Sequence, residues 1–135
     1  DSQFVNNTTT KQETTATTSG SSYFSEARKN REDAREEALG ILQETLANVK
    51  ATDTMKQEAS SKAAAIAKAV EQESKIESLI KAKGFADCVV YIEGENCSIV
   101  VQSEGLKPQE TLQITEIVTS QSSVKAENIS IITVK

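Results

Sequence analysis

The chain has 135 residues and a formal net charge of −5, which fits one domain plus a tail. The acidic balance argues against a nucleic-acid or anionic-membrane partner. There is no His, which removes the commonest acid–base group and the commonest metal ligand. Aromatics are 4% of the chain and Trp is absent, so Ile, Val, Leu and Ala must build the core. No apolar run approaches the length of about 20 residues that spans a bilayer.

Residues 1–22 read DSQFVNNTTTKQETTATTSGSS. This stretch has too few apolar side chains to offset its ordering entropy, so a flexible linker is expected. Asn7-Thr8-Thr9 fits a glycosylation sequon, a short pattern that says little alone.

From Tyr23 the pattern becomes helical, to about Lys50. The first half is nearly all charge, with Glu26–Lys29 and Glu32 with Arg28 and Arg35 at helical spacing. The second half carries Ala38, Ile41, Leu42, Thr45 and Val49 on one stripe. The reading is a packed C-terminal half and an N-terminal half that projects into solvent. Thr52, Asp53 and Thr54 offer N-cap oxygens for a second helix. That helix runs from about Thr54 to Lys83 and stops at Gly84. Met55, Ala59, Ala63, Ile66 and Val70 form its first stripe, which Ile76, Leu79 and Ile80 continue. The Ala-rich half is expected to pair with helix one as an αα-hairpin, and the remainder to pack on a sheet. Glu73 and Glu77 interrupt the apolar stripe where the partner changes.

A hairpin follows, Ala86 to Glu93 and Asn96 to Ser103. Gly94 supplies the positive φ of its two-residue turn. This register puts Cys88, Val90, Ile92, Cys97, Ile99 and Val101 on a wholly apolar core face. It pairs Cys88 with Val101 and Ile92 with Cys97. The two cysteines then lie about 13 Å apart along the ladder, too far for a disulfide, and are expected as buried free thiols. The other face carries Val89, Tyr91 and Val100. A sheet face left to water is normally polar, so either helix one or another protein covers this patch.

Pro108 and Glu110 open a third helix. Thr111, Ile114, Ile117 and Val118 form its core stripe, and Leu112 falls outside it. The helix ends by Ser123, and Asn128 to Val134 form a last strand in which Ile131 and Ile132 both look buried. A helical crossover after a hairpin usually sets the third strand beside the first. The expected sheet is therefore antiparallel, of order 2-1-3, with two open edges. The fold class is α+β: a long N-terminal helix, then a two-layer αββαβ domain with a three-stranded antiparallel sheet. The chain divides into a linker, 1–22, and a folded unit, 23–135. Candidate partner-binding residues are Val89, Tyr91, Val100 and Leu112, with Ser130, Ile132 and Val134 on the last strand.

No constellation suggests catalysis. Glu93 and Glu95 sit in a hairpin turn without a cleft, and no Ser has a His to activate it. Similar αββαβ orders occur in KH-type RNA binders, but the GXXG loop is missing and the charge has the wrong sign. A non-enzymatic interaction protein without cofactor or metal is the reading; a generic scaffold domain is its alternative.

The segments GFADCVVYIEGENCSIVVQSEGL, QETLQITEIVTSQSSV and ENISIITVK resemble the ring-building motif of secretion-system inner-ring proteins. More closely, the whole chain, Thr-rich stretch included, is similar to the extracytoplasmic part of the stage III sporulation protein AH family. That resemblance implies a single-pass anchor in the mother-cell membrane, upstream of Asp1. It implies a domain in the space between mother cell and forespore. It also implies a partner, the forespore protein stage II sporulation protein Q with its degenerate LytM-type fold. Assembly into a homo-oligomeric ring, together with other stage III sporulation A-operon proteins, would make an intercellular channel. No functional residue transfers through the resemblance, because the family has no catalytic motif to match.

Overall fold

The computed structural model describes residues 19–135; residues 1–18, with the sequon and most of the expected linker, lie outside the described residues. Helix α1 spans Ser19–Ala47, so it begins upstream of Tyr23, and α2 spans Asp53–Ala82. Thr52 caps α2, its hydroxyl accepting from the Met55 N–H at 3.1 Å. The helix stops at Gly84, whose φ of +109° few other residues adopt. Strands β1 (Cys88–Glu93) and β2 (Asn96–Gln102) follow, then α3 (Pro108–Gln121) and β3 (Ile129–Val134). Pro108 stands in the first turn of α3, and Glu110 accepts from the Lys107 N–H at 2.9 Å. Among the described residues no helix is long and apolar enough to cross a membrane.

The β1–β2 register is the expected one, with Cys88 opposite Val101 and Ile92 opposite Cys97 across a turn where Gly94 has φ +59°. The core face closes under α2 and α3. Ile76 and Ile80 of α2 and Ile114, Ile117 and Val118 of α3 pack on Cys88, Val90, Ile92, Cys97, Ile99 and Val101. Both thiols are free and buried. Ile131 packs against this core while Ile132 is 55% exposed, which settles the inward face of the last strand.

The expected strand order is wrong. The sheet runs β1-β2-β3, and β3 lies parallel to β2, with Ile99 opposite Ile131. The sheet is thus mixed rather than fully antiparallel within the expected α+β class. The α3 crossover makes β2-α3-β3 a parallel unit, and strands joined by a helix of this length run in one direction.

The place beside β1 is already taken by side chains. The N–H groups of Val90 and Ile92, turned away from β2, donate to Glu77 at 2.9 Å and Glu73 at 2.7 Å. The Cys88 N–H donates to Asp87 at 2.8 Å. Arg28 and Arg31 of α1 donate to the carbonyls of Cys88 and Val90. The same side chains pair with one another: Arg28 with Asp87, Arg31 with Glu77 at 2.7 Å, and Arg35 with both oxygens of Glu73. Glu73 is only 1% exposed. Glu73 and Glu77 therefore do more than break an apolar stripe: they finish the hydrogen bonding of a strand.

This ladder reverses the expectation for the N-terminal half of α1. Its charged half is the seated half, with Phe24 and Ala27 buried on Val89 and Val100. The arginines at 28, 31 and 35 share one helix face and reach carboxylates outside the helix, so the expected pairs of Arg28 and Arg35 with Glu32 give way to them. Lys29 bonds Asp33 instead of Glu26. The C-terminal half pairs with α2 around the buried Ala59, and the end of the αα-hairpin leaves Ile41, Val49 and Met55 exposed.

Glu73→Ala leaves Arg35 and the Ile92 N–H without their partner in a largely buried site, and should cost about 3 kcal/mol in urea unfolding. Lys29→Ala, at an exposed pair, should cost under about 0.5 kcal/mol. Burial pushes the Cys88 and Cys97 thiols up from 9.0 to about 12. A thiol that holds its proton more tightly when folded stabilises fully below its unfolded pKa and loses that contribution as pH rises through the folded one. Stability should therefore fall between about pH 9 and pH 12. Replacing both cysteines by Ala should flatten that part of a melting-temperature profile.

Candidate interaction surface

The two edges of the sheet differ. The β1 edge is bonded to the ladder. The β3 edge carries no such cover: among the described residues no side chain hydrogen-bonds to its backbone. The Val134 carbonyl turns toward β2, accepting from the Ser103 N–H at 2.9 Å. By alternation Ser130 and Ile132 also bond inward, and the backbone groups of Ile129, Ile131 and Thr133 point outward from the sheet. These are the groups an added strand would take.

Side chains sort by the same alternation. Ser130, Ile132 and Val134 stand on the outer face, where Ile132 is opposite Val100 in the neighbouring strand. Helix α1 covers Val100 and stops short of Ile132, so a buried apolar strip runs out into an exposed isoleucine at the edge. Ser130 is exposed and Val134 half-buried.

The candidate residues thus divide. Val89 is fully buried and Val100 is 5% exposed, both under α1, so neither presents surface in the folded chain. Of the two covers left open by the sequence, the structure takes helix one. Tyr91 is half-buried at the margin of that cover, and desolvation raises its phenol above the ordinary value. Leu112 is 59% exposed, as its place outside the α3 stripe requires. It belongs to the helical layer, whereas Ile132 is on the opposite face of the sheet. The two are therefore not parts of one flat patch. Sequence reasoning set Arg28 and Arg35 against Glu32 within the helix and missed that they and Arg31 reach β1 and α2; their spacing of three and four was the available signal.

A groove of about 840 Å³ opens between α1, α2 and the β1–β2 turn, with Tyr23, Arg31, Arg35, Ala38, Ile66 and Tyr91 among its lining. Its arginines are committed to Glu73 and Glu77, and the remaining cation of the lining, Lys68, shares it with Glu26 and Glu93. Among the described residues no group of three or more Cys, Asp or Glu is placed to hold a metal ion.

Comparison with known proteins fits an interaction domain of this shape. The model of a family described as SpoIIIAH-like protein matches residues 1–131. Among solved structures, the chain is similar to one in the structure of the SpoIIQ-SpoIIIAH pore forming complex. That likeness has a TM-score of 0.75 and 27% identity, covering 82% of this chain and 96% of the other. A further likeness, to the type III secretion system protein EscJ of enteropathogenic E. coli, has a TM-score of 0.49 and 24% identity over 71% of this chain and 66% of that one. No curated protein matches the chain. The match over nearly its whole length establishes that the chain belongs to the SpoIIIAH-like protein family.

Proposed function

We propose that this chain is a non-enzymatic structural component of an intercellular channel between mother cell and forespore. Its folded unit stands in the space between the two membranes, held by an anchor upstream of the sequence. There it docks on the extracytoplasmic domain of stage II sporulation protein Q. The observation that carries this reading is the likeness to a chain of the SpoIIQ-SpoIIIAH pore forming complex, at a TM-score of 0.75.

The docking site is the open flank of the sheet. The outward backbone groups of β3 supply hydrogen bonds, and Ile132 supplies an apolar anchor, with Ser130 and Val134 beside it on the same face. Tyr91 borders this face, and Leu112 offers a separate contact on the helical layer. Val89 and Val100 act from beneath, by fixing the seat of α1. A specific interface buries at least about 1,200 Å², which a strand edge with its adjoining outer face can supply. Docked copies then assemble into a ring, with other stage III sporulation A-operon proteins, around the passage between the cells.

Light scattering behind size exclusion, on the chain mixed with the partner's extracytoplasmic domain, should show a 1:1 complex. Absence of any complex would sink the assignment. Ile132→Lys places a charge on an exposed side chain, so it should change stability by no more than about 0.5 kcal/mol. It should weaken partner binding at least about tenfold, near 1.4 kcal/mol. Unchanged affinity would remove the β3 flank from the interface.

A further inference from the structure

The side chains that fill the β1 edge reproduce what a neighbouring strand would offer. In an antiparallel pair, alternate residues turn their N–H and C=O groups away from the partner. On β1 these are Cys88, Val90 and Ile92. Carboxylates accept where a strand's carbonyls would, from the N–H groups of Cys88, Val90 and Ile92. Guanidinium groups donate where a strand's amides would, to the carbonyls of Cys88 and Val90. Side chains of two helices, with Asp87 just ahead of β1, thus hold the place of a fourth strand. Beneath the ladder, β1 is six residues long and its side chains are largely apolar, the kind of edge that recruits another strand when bare.

We propose that the arginine–glutamate ladder closes a second strand-pairing edge, and that the strand it keeps out is β3 of another copy of this chain. Three observations select that occupant. β3 is also six residues long. It lies at the opposite margin of the same sheet and has outward backbone groups with no side-chain cover. It carries no charged residue between Ile129 and Val134, so nothing on it repels an approaching strand. A β3-to-β1 contact joins different surfaces of two copies, and such a head-to-tail contact repeats from copy to copy. With α1 seated, that growth is held off and strand addition is confined to β3. The inference goes beyond the docking proposal and does not depend on which partner uses β3.

The test removes one rung as a pair. Arg31→Ala with Glu77→Ala strips both groups from Val90, leaves the net charge unchanged, and keeps Arg35 on Glu73. Circular dichroism checks the fold, hydrogen exchange reads the Val90 amide, and light scattering reads the mass. The wild-type chain should run at the mass of one chain, 14.6 kDa. In the variant, the Val90 amide should exchange faster at low concentration, while Tyr91, which pairs with Ser98 on β2, keeps its protection. The mass should at least double as concentration rises. Adding Thr133→Pro, which removes an outward N–H of β3 without touching its bonds to β2, should return the variant to one chain. If the double alanine variant loses its helical signal, Arg31→Met with Glu77→Met, which keeps length and helix propensity but neither donates nor accepts in their place, goes through the same measurements with the same expected readings. A folded variant that exposes Val90 yet stays monomeric overturns the proposal. So does association that Thr133→Pro leaves intact, because the contact would then be exposed core rather than strand pairing.

Discussion

The fold depends on a set of charges that leave bulk water in order to complete a strand. Glu73 is almost wholly buried, and an unpaired carboxylate there would be prohibitive. Arg35 grips it from α1, Arg31 lies within 3.5 Å of it, and the Ile92 N–H donates to it. Buried ion pairs are weak evidence for net stability, since desolvation offsets much of the Coulomb gain. Their physical effect here is on register. One helical turn advances about 5.4 Å, and two strand residues advance about 6.7 Å. Arginines three and four residues apart can therefore keep step with alternate residues of β1 over a short span. A slip of α1 along the sheet would leave several of these groups unsatisfied together.

That register decides how the outer face is covered. Phe24 and Ala27 are the two buried apolar side chains that α1 contributes there, a small area for holding a helix on a sheet. The ladder supplies the remaining constraint. It explains how a segment composed mostly of Glu, Arg and Asn comes to be packed: the arginines turn inward to carboxylates, and Glu32, Glu36 and Glu37 remain in water. The acidic balance of the chain is thus concentrated on its surface, while the interior charges are matched.

The same arrangement makes the two sheet edges unequal. One is saturated by side chains and one keeps free backbone groups beside an exposed isoleucine. For a domain that works by contact, this inequality gives direction. A molecule with two equivalent bare edges would pair with its own copies wherever they met. A molecule with one bare edge has one place for a strand to be added, and its companion surfaces can be specific.

Much of this was legible in the sequence, because the signals were local. Alternation over 86–103, with Gly94 at the turn, fixed the hairpin register and the wholly apolar core face, since side-chain direction in a strand has a period of two. Thr52, Gly84 and Pro108 marked helix ends through capping chemistry and restricted backbone angles. The exposure of Leu112 followed from its place on a helical wheel. What the sequence could not decide was which distant groups would meet. Strand order depends on which edge is vacant, and only the tertiary structure brings Glu73 and Glu77 against β1 and leaves β3 to lie along β2. The seated half of α1 was misread because charge within a helix reads as exposure, whereas burial here is bought by partners 38 to 60 positions away in the chain. Periodicity reports the face a residue occupies; only packing decides what that face touches.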